Sequence, residues 1–130
     1  MKPINPESIR PPFARYSHGV EIKGPARLMV LSGQLGVGKD DVAPESAYDQ
    51  AMICFSNIEA ILAEAGMTRR HVLRTNAYVT DRAHMQGYMK ARDAWLADID
   101  PPPASTLMIV AGFTRPEFKV EIEALAASDV

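Results

Sequence analysis

The clearest pattern in the chain is an apolar stripe with spacings of three and four residues between Ala47 and Ala65. Such spacing places side chains on one face of an α-helix, while polar residues occupy the positions between them. Gly66 follows directly, where a left-handed residue commonly ends a helix. The pattern therefore predicts an amphipathic helix over 47–65, with a stripe made of Tyr48, Met52, Phe55, Ile58 and Leu62.

A second stretch of helical spacing lies further along the chain, and its members are Met85, Tyr88, Met89, Arg92 and Trp95. Asp81 precedes it and is a residue type that caps helix N-termini. Three consecutive prolines at 101–103 end it, because proline cannot continue a helix. We expect a second helix from Asp81 to about Asp98.

Five segments show the alternation or the short apolar runs that are typical of β-strands: 16–22, 28–35, 72–80, about 104–111 and about 118–127. Residues 1–15 hold four prolines and no periodic pattern, which indicates an extended arm on the surface. The order β-β-α-β-α-β-β favours an α+β fold, with a mixed sheet and two helices packed on one face. Apolar residues on the other sheet face favour self-association.

Length and composition limit the class of protein. The chain has 130 residues, of which 47% are hydrophobic, and this suits a single domain over 1–130. A net charge of −2 without a basic stripe gives no support for nucleic-acid binding. The lone Cys54 suits a reducing compartment. No apolar run approaches the ~20 residues of a membrane helix, and the N-terminus lacks the apolar centre of a secretory signal. We expect a cytoplasmic protein that does not bind membranes.

Other residue types that often carry chemistry show no supporting pattern. His18, His71 and His84 are far apart and lack the spacing of metal ligands, so we expect no metal site. Cys54 falls near the apolar face of the first helix and is interpreted as inert packing. Gly33, Gly36 and Gly38 lack the lysine–serine pair and the helix start of a phosphate-binding loop.

Several short motifs occur in an order that is characteristic of one family. They are Tyr16-Ser17, Ser32-Gly33-Gln34, Gln50 with Asn57, Ala65-Gly66, Val79-Thr80-Asp81, Pro103-Ala104 and Val120-Glu121-Ile122-Glu123-Ala124. Each motif is weak alone, but together, with compatible spacing, they are specific. From roughly Tyr16 to Ala127 the chain resembles the RidA/YjgF family of small imine/enamine deaminases.

That resemblance implies a chorismate-mutase-like α+β fold assembled as a homotrimer, with small-molecule clefts between neighbouring subunits. The family's deaminases hydrolyse 2-imino acids, or their enamine tautomers, to 2-keto acids and ammonia. They use neither a metal nor an organic cofactor. The resemblance therefore predicts a cofactor-independent hydrolase.

The family's site residues are only partly present in this chain. The resemblance assigns Glu121 the catalytic position beside the reacting water, and places Tyr16, Ser32 and Gly33 in the pocket. The arginine that holds the substrate carboxylate falls on Ser105 in this chain. A bidentate arginine–carboxylate contact is worth on the order of a few kcal/mol, so its loss disfavours ordinary 2-imino acids.

Two further positions complete the predicted site. The family's helix asparagine falls on Met89, and Arg115, in the loop before the last strand, is a candidate replacement for the missing arginine. Arg92, one turn beyond Met89, is a second candidate. We expect a surface position for both arginines, because arginine is rarely buried without a partner.

Two of these residues also have a purely structural interpretation. Glu121 alternates with Glu123 and fits a solvent-side residue of a strand, and Ser105 fits an ordinary turn residue after proline. The competing functions are imine or enamine hydrolysis and a non-catalytic, small-molecule-binding or interaction trimer. Ribonuclease activity is disfavoured because the sequence predicts no basic surface. A cleft that binds a dicarboxylate is disfavoured because the arginines are scattered along the chain.

Overall fold

A computed structural model describes residues 1–24 and 26–129. It contains six strands: β1 (Lys2–Ile4), β2 (Gly19–Glu21), β3 (Ala26–Leu35), β4 (Val72–Val79), β5 (Ala104–Ile109) and β6 (Val120–Asp129). The helices are α1 (Ala47–Glu64) and α2 (Met85–Trp95). Short 3-10 turns at 69–71 and 82–84 precede β4 and α2.

The sequence pattern describes α1 well, because both of its ends carry local signals. The Ser46 hydroxyl accepts a hydrogen bond from the Asp49 N–H at 3.0 Å and caps the start. Gly66 has a φ of 70°, and the N–H groups of Gly66 and Met67 donate to the carbonyls of Ala63 and Leu62. This glycine-terminated arrangement is the predicted helix end.

The second helix is shorter than the pattern predicts. Asp81 does act as a cap, but its carboxylate accepts from the Ala83 N–H and begins a 3-10 turn rather than the α-helix itself. The α-helix starts at Met85 and ends at Trp95, three residues before the expected end. The extent of α2 was therefore overestimated at both ends.

The four long strands form one mixed sheet in the order β3-β6-β4-β5. β6 is antiparallel to both of its neighbours, and β5 is parallel to β4. Alternate residues of β6, such as Val120 and Ile122, are buried against α1 and α2. The predicted α+β architecture, with two helices on one face of a mixed sheet, is confirmed.

The N-terminal segment is exposed, as expected for an arm, but it also contains a strand. Lys2–Ile4 pairs with Gly19–Glu21 in a separate antiparallel ribbon. Ser17 then bridges Ala104, and its N–H donates to the Pro103 carbonyl at 3.1 Å. The chain therefore reaches the β5 edge of the sheet at Ser17, directly after the arm.

The face of the sheet away from the helices, termed the open face below, is apolar at its flanks and polar at its centre. Val30 is 76% exposed there, and Leu28 and Met108 are also exposed. Strand register places these three residues on the same side as Glu121 and Tyr78. An exposed apolar surface of this kind usually contacts another protein surface.

Gln50 holds two loops in place beside the sheet. Its buried side-chain amide donates to the carbonyls of Pro44 and Glu117, both at 2.9 Å, and accepts from the Lys119 N–H at 2.8 Å. Gly36 packs directly on it, since a Cβ there would lie 2.6 Å from the Gln50 Cα. These contacts fix the entry into β6.

We expect Gln50→Leu to lower the free energy of unfolding by roughly 2–4 kcal/mol, because it leaves three partly buried backbone groups without the side-chain partner they have in the wild type. Urea unfolding followed by circular dichroism measures the change. Gln86→Leu, at an exposed position of α2, is the matched control and should change stability by about 0.5 kcal/mol or less. Equal effects of the two substitutions would contradict the clamping role of Gln50.

Candidate functional site

Glu121 lies on β6, on the open face, against the backbone of Gly33. The pairing of β3 with β6 shifts register between Leu31 and Gln34, so that Gly33 lies in an irregular stretch. A Cβ at Gly33 would lie 2.8 Å from the Glu121 carboxyl carbon, which is closer than real contacts allow. Any side chain at position 33 would therefore displace the Glu121 carboxylate from the place it occupies.

The surroundings of Glu121 favour its protonated form. Partial burial raises the pKa of this carboxyl, and the negative charge of Glu123 raises it further. A raised pKa brings a carboxyl closer to neutral pH, where it can both accept and donate a proton. Glu121 therefore has the properties of a general acid–base residue.

Glu123, the next outward residue of β6, is part of a hydrogen-bonded network on the open face. Its Oε1 accepts from the Tyr78 hydroxyl at 2.7 Å and from the Asn76 amide at 3.0 Å. Arg74 donates to the Asn76 Oδ1 at 2.7 Å and to the Thr106 hydroxyl at 2.7 Å. The hydrogen bond to Glu123 is the main reason that the pKa of Tyr78 is raised.

This network was missed as a functional feature, although its signal is visible in the sequence. Arg74, Asn76 and Tyr78 alternate along a strand in which the intervening residues are apolar or small. Polar residues on one face of a central strand need either water or partners from adjacent strands. Here Glu123 and Thr106 provide the partners.

The remaining predicted residues divide between the two edges of the sheet. Ser32 is exposed beside Gly33 on the edge strand β3. Ser105 lies on β5, the opposite edge, paired with Thr75 on the helix side. Tyr16 is half-buried next to this edge, and its hydroxyl accepts from the Phe13 N–H. Three strand spacings, about 14 Å, separate the two edges.

Met89 and Arg115 join neither group within one chain. Met89 is half-buried on α2, packs partly against the core and, with Met85, lines an open groove at the start of this helix. The Arg115 guanidinium pairs with Asp41 at 2.9 Å and with Glu117 at 2.6 Å. It is thus a partly exposed loop residue whose charge is already compensated.

Arg92 contradicts the expectation of a surface position, since it is only 4% exposed. Its guanidinium carbon lies 5.8 Å from the centre of the buried Tyr88 ring. The sequence contained the signal for this burial, because Arg92 shares the helical stripe of Tyr88 and Trp95. The expectation of a surface position, which rested on the general rarity of buried arginine, is therefore wrong for Arg92.

Metal and thiol chemistry find no support among residues 1–24 and 26–129. That part of the chain contains no group of three or more His, Cys, Asp or Glu side chains placed to hold a metal ion. Burial raises the pKa of the Cys54 thiol to about 12, and the thiol donates to the Gln34 carbonyl at 3.1 Å. Within the same residues, no helix is both long and apolar enough to span a membrane.

Comparison with known proteins identifies the family. Residues 7–128 match the family described as Endoribonuclease L-PSP. A RutC family protein of Aquifex aeolicus is 28% identical over 127 residues, which cover 97% of this chain and 98% of that protein. The chain belongs to the RidA/YjgF family. YoaB of Escherichia coli K12, also of the RutC family, is 30% identical over 81 residues, or 62% of this chain and 69% of YoaB.

Solved structures of family members share the fold. A Rid-family protein of unknown function, YyfB from Yersinia pestis, superimposes with a TM-score of 0.84 at 29% identity, with 98% of each chain covered. RidA from an Antarctic Psychrobacter gives a TM-score of 0.72 at 26% identity, covering 98% of this chain and all of that one. The RidA/YjgF fold expected from the motifs is confirmed.

The raised pKa of Glu121 predicts a pH-dependent effect of Glu121→Gln on stability. Ionisation of a carboxyl whose pKa is raised by folding destabilises the folded state as the pH rises through that pKa. The variant cannot ionise, so its unfolding temperature relative to the wild type should be higher at pH 7.5 than at pH 4. Thermal unfolding at both values measures this, with the exposed Glu7→Gln as control. If the difference in unfolding temperature between the variant and the wild type is the same at both pH values, ionisation of Glu121 does not destabilise the folded state.

Proposed function

We propose that this protein hydrolyses a small reactive imine or enamine, without metal or organic cofactor, in a cleft between the subunits of a homotrimer. The observation that carries the proposal is the Glu121 carboxyl, held against Gly33 with a raised pKa. Membership of the RidA/YjgF family supports the reaction class. The lone buried Cys54 is compatible with a cytoplasmic location.

The proposed reaction needs one group that first accepts and then donates a proton. Water adds to the C=N carbon while the Glu121 carboxylate takes one of its protons and passes it to the nitrogen, which gives a neutral carbinolamine. The regenerated carboxylate then accepts the hydroxyl proton of the carbinolamine and donates it to the nitrogen as the C–N bond breaks, so that a carbonyl compound and ammonia leave. The sum is one imine and one water consumed per carbonyl and ammonia formed. General acid–base catalysis of this kind contributes typically 10²–10⁴-fold.

The division of the predicted residues between two edges supports a site between subunits. Glu121 and Gly33 lie at the β3–β6 side, whereas Ser105 and Tyr16 lie at the β5 edge. Within one chain, Glu121 and Ser105 are two strand spacings apart, about 10 Å, and lie on opposite faces of the sheet, so a small substrate cannot contact both. It can contact both groups only where the β5 edge of one copy approaches the β3–β6 side of another.

The open face supports the assembly itself. Its flanks are apolar, with Val30 76% exposed and Leu28 60% exposed. A second copy would cover these side chains and exclude water from the network around Glu123. Three copies are proposed because the family resemblance implies a trimer.

Ser105 distinguishes the proposed substrate from ordinary 2-imino acids. A serine hydroxyl provides one neutral hydrogen bond where the family arginine would provide a charged, bidentate contact. The substrate would therefore differ from a simple 2-imino acid in the position or the charge of the group that contacts this turn. We propose no nucleic-acid partner, because Glu121 and Glu123 would repel phosphate groups from the open face.

Glu121→Gln should reduce turnover about 100-fold or more if this carboxyl transfers the protons. Imines are generated with an amino-acid oxidase in the presence of semicarbazide, and hydrolysis is measured as loss of the semicarbazone. Glu123→Gln is the matched control on the same strand and face, because a glutamine oxygen can still accept the bonds from Tyr78 and Asn76. It should retain activity within about tenfold.

Two results would contradict this function. Equal activity of Glu121→Gln and the wild type would remove Glu121 from the reaction. Absence of hydrolysis for every imine in the panel, with an active family member tested in parallel, would favour the alternative of a non-catalytic binding or interaction trimer.

Val30→Glu should convert the assembly to monomers, because it places a charge in the apolar flank of the open face. Light scattering coupled to size-exclusion chromatography measures the mass. Val42→Glu is the matched control, since Val42 is also exposed, at 61%, but lies in the loop before α1. A wild-type monomer, or an unchanged mass for Val30→Glu, would contradict the proposed interface.

A further inference from the structure

A buried thiol lies beneath the place where β3 and β6 carry the candidate site. Cys54, on α1, is completely buried, and its Sγ donates to the Gln34 carbonyl oxygen at 3.1 Å. The same sulfur lies 3.9 Å from the Val120 carbonyl oxygen. The thiol therefore contacts the backbones of both strands from the helix side of the sheet.

The two carbonyls belong to residues that adjoin the candidate site in sequence. Gln34 directly follows Gly33, and Val120 directly precedes Glu121. Successive side chains of a strand point to opposite faces, so a contact below the sheet at Val120 restrains the backbone from which Glu121 projects above it. Cys54 thus lies one residue away from each partner of the Gly33–Glu121 contact.

The register shift makes such a restraint important at this place. The pairing of β3 with β6 is interrupted between Leu31 and Gln34, so the regular ladder of hydrogen bonds does not by itself fix the position of Gly33. Gly33 and the Glu121 carboxyl are nevertheless in close contact. A small movement of either strand would change the space and the burial that this carboxyl has.

The thiol is suited to donate a hydrogen bond but not to react. Burial raises the pKa of Cys54 to about 12, so the sulfur keeps its proton at neutral pH. An S–H group is a weak donor, and its contacts contribute little to the stability of a whole domain. Its expected effect is therefore local to the two strands that it contacts.

A second side chain of the same helix face acts on the same two strands. Gln50 precedes Cys54 by four residues, a spacing that places both on one face of α1. Its amide oxygen accepts from the Lys119 N–H, next to the start of β6, and Gly36, next to the end of β3, packs on it. One face of α1 thereby holds the end of β3 and the beginning of β6.

We propose that Cys54 is a positioning residue for Glu121, and that its thiol keeps the irregular stretch of β3 and the start of β6 in place from the helix side. This inference rests on the proposed function, in which Glu121 transfers the protons. Without the donor, Gly33 would move relative to β6 and leave the carboxyl less buried. The pKa of Glu121 should then fall toward the ordinary range of a glutamate, because burial is the main cause of its rise.

The position of the carboxyl is tested without turnover by NMR. The side-chain carboxyl carbon of Glu121 is followed during a pH titration, and its resonance is assigned by its loss in Glu121→Gln. Cys54→Ala should lower this pKa, whereas Cys54→Ser retains a donor and should keep the wild-type value. Ile58→Val is the matched control, because it shortens another buried side chain on the same face of α1 and should leave the pKa unchanged.

Imine hydrolysis in the semicarbazide assay gives a second measurement. Cys54→Ala should lower the rate about tenfold or more, because a misplaced acid–base group loses its alignment with the reacting atoms. Cys54→Ser and Ile58→Val should remain within about threefold of the wild type, since both keep the alignment. A purely structural role would instead give Cys54→Ala and Ile58→Val similar effects.

A second pair of variants keeps the test decisive if Cys54→Ala fails to fold. Cys54→Thr and Cys54→Val introduce side chains of nearly the same shape, of which threonine alone carries a donor. The pKa of Glu121 should be higher in the threonine variant. Equal values in this pair, an unchanged value in Cys54→Ala, or an equal shift in Ile58→Val would overturn the inference.

The inference and the proposed function fail separately. A pKa of Glu121 that depends on the Cys54 donor, without turnover that depends on Glu121, would retain the positioning role and reject the enzyme. Turnover that depends on Glu121, with a pKa and a rate that are indifferent to Cys54, would retain the enzyme and reject the positioning role.

Discussion

The main physical constraint on this protein is that its two helices cover one face of the sheet and leave the other exposed. The core lies between α1, α2 and the inward residues of β4 and β6. On the open face, Val30 and Leu28 remain exposed to water at the flanks of a hydrogen-bonded polar network. The exposed apolar residues of this face are the reason to expect self-association. The candidate residue Glu121 lies on the same face.

β6 contributes to both the core and the open face, because its side chains point alternately to the two faces of the sheet. Val120 and Ile122 bury their side chains beneath the helices, while Glu121 and Glu123 project from the open face. The two carboxylates differ in their surroundings. Glu123 is held by Tyr78 and Asn76, whereas Glu121 faces Gly33 with a raised pKa. Two chemically identical groups thereby differ in their hydrogen bonding and in the tendency of their carboxyls to be protonated.

Much of the fold could be predicted from local signals, because those signals act within a few residues. The stripe of α1 and the left-handed Gly66 describe that helix nearly to the residue. The start of α2 could not be placed, since Asp81 caps a 3-10 turn as readily as an α-helix. The strand at Lys2–Ile4 depends on a partner 17 residues away and has no local pattern.

The site was harder to predict because strand order, rather than sequence spacing, decides which residues meet. Glu121 and Gly33 are 88 residues apart but in contact. Ser105 is much nearer to Glu121 in sequence, yet it lies on the opposite face of the sheet. A single sequence also gives no indication of which edges of two copies approach each other. The family motifs point to candidate residues without showing this division.

The buried Arg92 affects how the serine at position 105 is interpreted. Judged by residue type, a serine in place of arginine removes a positive charge from the turn. In the folded chain, Arg92 is 4% exposed on α2, its guanidinium carbon lies 5.8 Å from the centre of the Tyr88 ring, and the Asp93 carboxylate accepts from its Nε and Nη2. The chain therefore has a buried positive charge on α2, although it has none at position 105. Arg92 therefore cannot be equated with the family's turn arginine on charge alone, because Asp93 already pairs with it and the Tyr88 ring lies beside it.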